Sequence, residues 1–168
     1  MIRVRPAVPN DALPLAVAQV AAWKDTYRGP VSPAFLDQLT GEQWAPRHRG
    51  RIEVARDPRS YLVAELQGAV RGFASFGTAR APEPSTSGEI YAIYVHPEAI
   101  GQGLGSALFD AAKSALHHRG FTVVMLWVMV GNDRAITFYE RKGMTHDGTT
   151  KHDVMPGIGE WDDLRYAL

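Results

Sequence analysis

The sequence predicts a mixed α/β domain, a central sheet flanked by helices, and three observations carry that prediction. A strand pattern from Glu89 to Val95 runs into a glycine-rich turn, Gly101-Gln102-Gly103-Leu104-Gly105-Ser106. The turn opens a helical stripe made of Leu104, Leu108, Ala111, Ala112, Ala115 and Leu116, closed by Gly120. Val123 to Val130 is then almost wholly apolar, as expected of a strand buried on both faces. One strand–helix–strand unit, Glu89 to Val130, therefore sits at the centre of the fold.

The elements around it follow in order. Ile2 to Arg5 reads as a short strand stopped by Pro6. Asn10 or Asp11 caps a helix carrying Leu13, Val17, Val20, Ala21 and Trp23 at helical spacing, broken by Gly29-Pro30. Ser32-Pro33 opens a short helix to Leu39, and Gly41 to Arg56 holds another. Tyr61–Leu66 and Val70–Thr78 form a hairpin across a tight Gln67-Gly68 turn. Arg80 to Gly88 is a Pro/Ser-rich segment that reads as a flexible loop. Asn132 or Asp133 caps a helix ending at Gly143. Met144–Thr150 and Leu164–Leu168 are the last strands, separated by a Gly/Pro-rich loop.

Size and charge bound the function. A chain of 168 residues suits one domain, 1–168, with a proper core. Lys and Arg number 18 against 18 for Asp and Glu, so no overall field draws nucleic acid or an acidic membrane, and any anion site is local. The absence of Cys removes disulfides, thiolate catalysis and Cys-ligated metals, and favours a cytoplasmic setting. Pro6, Pro9, Asn10 and Asp11 interrupt the only stretch that resembles a signal peptide. No apolar run approaches the roughly 18 residues of a membrane span.

A helix N-terminus carries about half a positive charge and several unpaired N–H groups, which suits a phosphate. Glycines at 101, 103 and 105 remove the Cβ atoms that would hold a pyrophosphate off those groups. The plainer reading is a tight strand-to-helix turn. Two nucleotide motifs fail here. A dinucleotide fingerprint requires a third glycine where Ser106 stands and an acid on the next strand, and Phe121–Val130 has none. A P-loop requires Gly-Lys-Ser/Thr, which is missing.

At this point the sequence resembles the GNAT superfamily of acyl-CoA-dependent N-acyltransferases over nearly its whole length. The family hallmark Q/R-x-x-G-x-G/A is matched by Ile100-Gly101-Gln102-Gly103-Leu104-Gly105, with Ile100 departing where Gln or Arg is usual. A second segment, Asn132 to Met144, is similar to the family's N-x-x-A-x-x-F-Y-x-x-x-G-F. The resemblance implies a sheet splayed beside Glu89–Val95 with acetyl-CoA as co-substrate in the splay. Ile93, Tyr94 and Val95 would lie along it, with a Val95 N–H polarising the acetyl carbonyl. The turn Gly101–Ser106 would hold the pyrophosphate, Asn132 the pantetheine arm, and Tyr139 would stand beside the sulfur. A homodimer is an open expectation, because related proteins exchange a last strand.

An alkyl amine has a pKa near 10.4, so only roughly one molecule in a few thousand is neutral at pH 7. Transfer from a thioester therefore requires a sink for the amine proton and an acid for the thiolate. Tyr139 is the candidate acid, against the plainer reading of a core aromatic. Glu89 is the candidate base, directly or through water. It lies fourteen residues before Gly103, as in related histone-type enzymes. A solvated strand end is the alternative. Alternation puts Glu89, Tyr91, Ile93 and Val95 on one face, save where the family carries a bulge.

Trp23 and Tyr27, four apart, share a helix face and wall an acceptor pocket or pack on the sheet. His96 is a second relay candidate, and Asp162 and Asp163 either attract a cationic amine or form a solvated turn. His117-His118 and His152-Asp153 read as surface residues, since adjacent helical positions point about 100° apart, so no metal is expected. The reaction expected is direct attack by a primary amine of a small molecule or peptide in a ternary complex. A CoA-binding sensor without catalysis is the rival from another class.

Overall fold

The computed structural model describes residues 1–54, 59–80 and 82–168. Strand β1 (Ile2–Pro6) leads through a 3₁₀ turn to α1 (Ala12–Thr26), α2 (Pro33–Gln38) and α3 (Gly41–Glu53). The hairpin β2 (Ser60–Leu66) and β3 (Ala69–Thr78) is followed by β4 (Ser87–Val95), α4 (Leu104–His118), β5 (Val123–Met129) and α5 (Asp133–Arg141). A second hairpin, β6 (Thr145–Met155) and β7 (Gly159–Ala167), comes last. All seven strands form one sheet in the order β1-β2-β3-β4-β5-β7-β6.

Every neighbouring pair is antiparallel except β4 and β5, which run parallel. That pair meets only at Ser87↔Val123, Gly88↔Val124 and Glu89↔Met125. Beyond Glu89, β4 stays on β3 as far as Val95, while β5 turns to β7 from Met125 to Met129. The sheet therefore opens into a V between the last residues of β4 and those of β5.

Alternating strand residues fill two faces. Ala64, Ala74 and Phe76 join Leu104, Leu108, Phe109, Ala112 and Leu116 of α4 in the main core. Val63 and Phe73 pack on Leu15 of α1 from the other side. A third cluster joins Val20 of α1 with Val31, Leu36 and Leu39, bordered by Trp23, Tyr27 and Trp161. Caps act where small polar residues stand: Ser32 accepts from Phe35 N–H, Thr40 from Gln43 N–H, and Asn132 from Ala135 N–H. The β2–β3 turn places Gln67 at φ 53° and Gly68 at φ 81°, the backbone of a two-residue hairpin.

Three expectations change. The buried stripe of α1 is Ala12, Leu15, Ala16, Ala18, Val20 and Ala22, whereas Leu13 and Val17 are largely exposed. An alanine-rich helix has apolar residues all round, so spacing alone did not choose its inner face. The last loop is instead a long hairpin, since β6 runs to Met155 and β7 starts at Gly159. Lys151 pairs with Asp163, His152 with Asp162 and Asp153 with Trp161 across it. Val123 is exposed, so β5 is fully covered only further along. Within the stretch read as a loop, Arg80 pairs with Glu89 and Glu83 with Arg165. The expected helix limit at Arg56 lies outside the described residues.

Candidate active site

The V in the sheet holds a cavity of about 560 Å³. One end is the start of α4. Gly101 and Gly103 take φ of 81° and 91°, a left-handed backbone that side chains resist, and Gly103 is the N-cap of α4. No side chain caps this helix, and the first helical bond runs from Ala107 N–H to Gly103. The N–H groups of Leu104, Gly105 and Ser106 thus have no helical acceptor, and all three residues line the cavity. A Cβ built on Gly101 meets nothing within 4 Å. The turn is therefore open and rich in unpaired donors, which fits a pyrophosphate.

Along the walls run Ile93, Tyr94 and Val95 of β4, with Asn132 just before α5 and Tyr139 within it. Asn132 Oδ1 accepts from Ala135 N–H at 3.3 Å, which fixes its side chain at the helix start. The Tyr139 ring is held against Phe138 (centroids 5.2 Å) and Phe109 (6.1 Å). Burial, and then the nearby Tyr94, push the Tyr139 phenol well above its ordinary value, so it stays protonated at any working pH. Burial likewise raises Tyr94 and Tyr27.

The far end is built from the hairpin β6–β7 and α1. Trp23, Tyr27, Tyr91, Trp127, Met155 and Trp161 form its apolar walls. Lys151 Nζ lies 2.8 Å from Asp153 Oδ2, 3.5 Å from Asp163 Oδ2 and 4.9 Å from the Trp127 ring centre. Asp163 is 9% exposed. Its burial raises its pKa against the pull of Lys151, with Asp153 adding to the rise. For Asp153 burial acts the same way, but hydrogen bonding and charge from Lys151 bring it below the usual carboxylate range.

The cavity gathers Trp23, Tyr27, Ile93, Tyr94, Val95, Gly101, Gly103, Leu104, Gly105, Ser106, Asn132 and Tyr139. Gln102, His96, Glu89 and Asp162 stand apart. Gln102 is absent from the lining, and its Nε2 donates back to Glu98 O at 3.0 Å. His96 caps a 3₁₀ turn through Nδ1 and is also absent. Glu89 is 1% exposed and accepts from the Arg80 backbone N–H (2.9 Å), Nε (3.1 Å) and Nη2 (2.5 Å). Arg80 reaches the cavity wall; Glu89 does not. Glu89 still pairs with Met125, below the point where β4 parts from β5, whereas Tyr91–Val95 beyond it line the cavity; a bulge, with Ser75 paired to Ala92 and Phe76 to Ile90, inserts Tyr91 between the two parts.

Asp162, by contrast, pairs with His152 at 2.7 Å on the exposed face of β7. Lys151, Asp153 and Trp161 reach the V through the pairing of β6 with β7, and Trp127 through β5. Among the described residues, no group of three or more His, Asp or Glu gathers to hold a metal ion, and no helix is long and apolar enough to cross a membrane.

A parallel strand pair that parts beside an uncapped helix N-terminus, with a buried phenol and an aromatic chamber in the same cavity, suits an elongated phosphorylated ligand in an α/β fold. The acetyltransferase (GNAT) family model matches residues 20–144, and the chain belongs to that family. The N-acetyltransferase YuaI of Bacillus subtilis is 33% identical over 144 residues, 83% of this chain and 78% of that protein. The mycothiol acetyltransferase of Streptomyces griseus is 33% identical over 81% of this chain, which spans only 40% of that longer protein. Among solved structures, the ribosomal-protein-alanine N-acetyltransferase of Brucella melitensis has a TM-score of 0.73 at 28% identity, covering 99% of this chain and 98% of that one. The PaiA N-acetyltransferase of Thermoplasma acidophilum, solved with coenzyme A, shares the fold with a TM-score of 0.75 at 19% identity, over 96% of this chain and 98% of that one. The chain is thus an acyl-CoA-dependent N-acetyltransferase.

Proposed function

We propose that this chain transfers the acetyl group of acetyl-CoA to a primary amine of a small molecule or peptide, by direct attack within a ternary complex. The observation that carries the reading is the cavity between β4 and β5, lined both by the N–H donors at the start of α4 and by an aromatic, acidic chamber. Gly101–Ser106 would anchor the pyrophosphate, Asn132 the pantetheine arm, and Val95 the acetyl carbonyl. Tyr139, kept protonated by burial, would give its proton to the departing thiolate. The absence of Cys supports direct attack without a covalent enzyme intermediate on sulfur. Glu89, committed to Arg80, would act by orienting that guanidinium, and any direct base must be a group that lines the cavity.

The test is release of free thiol from acetyl-CoA over a panel of amines, amino acids, polyamines and peptides. Amine-dependent release supports the transferase. Tight CoA binding with no release for any acceptor would replace it with a CoA-binding sensor.

A further inference from the structure

The chamber beyond Tyr139 has its own charge balance. Its cationic wall groups are Arg80, Arg134 and Lys151, and the anions facing them are Glu89, Asp25, Asp153 and Asp163. Arg80 is spent on Glu89, Arg134 on Asp25 at 2.9 Å, and Lys151 chiefly on Asp153 at 2.8 Å. Of the two carboxylates that line the cavity, Asp153 holds Lys151 at 2.8 Å and Asp163 is left with the looser pairing, its nearest cation 3.5 Å away, so the spare negative charge falls on Asp163. Asp163 is also the best buried of the carboxylates that line the cavity. From the other packed elements, it is faced by Tyr27, just past α1, and Tyr94 of β4, both uncharged phenols.

The rest of the chamber is apolar: the rings of Trp23, Tyr27, Tyr91, Trp127 and Trp161, with Met155. One spare negative charge inside such walls suits one ammonium on an apolar body, through ion pairing, cation–π contact and burial. A second ammonium finds no second spare anion, and a carboxylate on the acceptor finds no spare cation.

Building on the transferase reading, we propose that Asp163 receives the acceptor's ammonium and takes its proton, and that the acceptor is a monocationic primary amine with an apolar or aromatic body. The ammonium gives one proton to the Asp163 carboxylate, and the freed nitrogen lone pair forms the C–N bond as the C–S bond breaks. The thiolate takes the Tyr139 proton, the second nitrogen proton restores Tyr139, and Asp163 returns its own to solvent. Lys151 holds Asp163 in place, and the neighbouring Asp153 carboxylate raises its affinity for the proton.

Three matched amines decide the acceptor class in the wild-type enzyme: 2-phenylethylamine, phenylalanine and 1,4-diaminobutane, each with saturating acetyl-CoA. The first should exceed both others in kcat/KM by at least about tenfold, the ratio that 1.4 kcal/mol of binding gives. Equal values, or a preference for the carboxylate or the diamine, overturn the proposal. Asp163→Asn should lower kcat/KM for 2-phenylethylamine about 100-fold, the scale of one acid–base group, with the KM for acetyl-CoA unchanged. An unchanged kcat/KM overturns it. If no amine releases thiol, the transferase reading fails, and calorimetry of 2-phenylethylamine on the CoA-loaded protein judges Asp163 alone. Binding weakened by Asp163→Asn supports the assignment; equal or absent binding overturns it. Should that variant not fold, the wild-type ordering of the three amines stands as the test.

Discussion

Gly159 lies so close to Pro30 that a Cβ placed on it would stand 2.1 Å from the Pro30 carbonyl oxygen. The contact joins β7 to the α1–α2 connection, where Val31 bridges Gly159 and Ser32 N–H donates to Ile158 O at 2.7 Å. Val31 and Trp161 both line the cavity, so this seam closes its acceptor end.

Gly159→Ala must therefore move backbone, since neither partner is a flexible side chain. Overpacking of this kind costs about 1–3 kcal/mol. The displaced hairpin should raise the KM for the amine while acetyl-CoA affinity stays within about twofold, a shift below roughly 0.4 kcal/mol. Chemical denaturation and calorimetric CoA binding check both halves, and a variant as stable as the parent would refute the seam.

Tyr139→Phe removes one oxygen and leaves the ring on Phe109 and Phe138. Stability and acetyl-CoA affinity should hold, whereas kcat falls about 10²-fold, the scale of one positioned acid. A parallel loss of CoA affinity would mean that the hydroxyl binds rather than protonates.

The central unit was legible because each of its parts has a local signature. Gly101 and Gly103 mark a backbone that other residues resist, Asn132 marks a cap, and the stripe from Leu104 to Leu116 marks a buried face. The hairpin β6–β7 has no such mark. Thr145–Met155 is polar along nearly its whole length and has no fully buried residue, so its strand form comes from pairing with β7 and not from an apolar alternation. Asp163 accordingly read either as a carboxylate that attracts an amine or as a turn residue, whereas it sits between Met129 and Lys151 in register. Glu89 shows the opposite failure. Its motif spacing was readable, and a bulge in this strand was allowed for, but nothing local foretold that Arg80, nine residues earlier, folds onto it or that β4 and β5 part only beyond its pairing with Met125.

Gly103→Ala tests the cradle itself. An L-residue at φ 91° costs about 1–2 kcal/mol relative to an ordinary backbone, and the new Cβ would approach Ile2 Cδ1 at 3.4 Å. Relaxation of that strain rotates the N–H groups of Leu104 and Gly105. Acetyl-CoA should then bind at least about tenfold more weakly, a loss near 1.4 kcal/mol, while the far-ultraviolet spectrum of the fold is kept. Undiminished affinity in isothermal titration would remove the turn from the binding site.

His48 makes stability depend on pH away from the site. It is 4% exposed, its Nε2 donates to Gln19 Oε1 at 2.7 Å, and its Nδ1 has no partner among the described residues. Its ring is packed edge-on to Tyr61 and Phe73. Burial, reinforced by the charges of Arg51, Arg47 and Arg59, lowers its pKa from 6.5 to about 4. Between those values the unfolded chain carries the proton and the folded chain does not. Stability contributed by neutral His48 is therefore complete above pH 6.5 and is lost as the pH falls towards about 4. At 1.36 kcal/mol per unit the full loss is about 3 kcal/mol, of which about 2 kcal/mol is spent by pH 5. His48→Phe keeps the ring among Tyr61 and Phe73 and removes the titration, though it leaves Gln19 Oε1 without its donor. Urea denaturation of both proteins at pH 7.5 and pH 5 should shift the difference between them by about 2 kcal/mol in favour of the variant on acidification. An unchanged difference would mean that His48 is protonated inside the fold, against the geometry of its pocket.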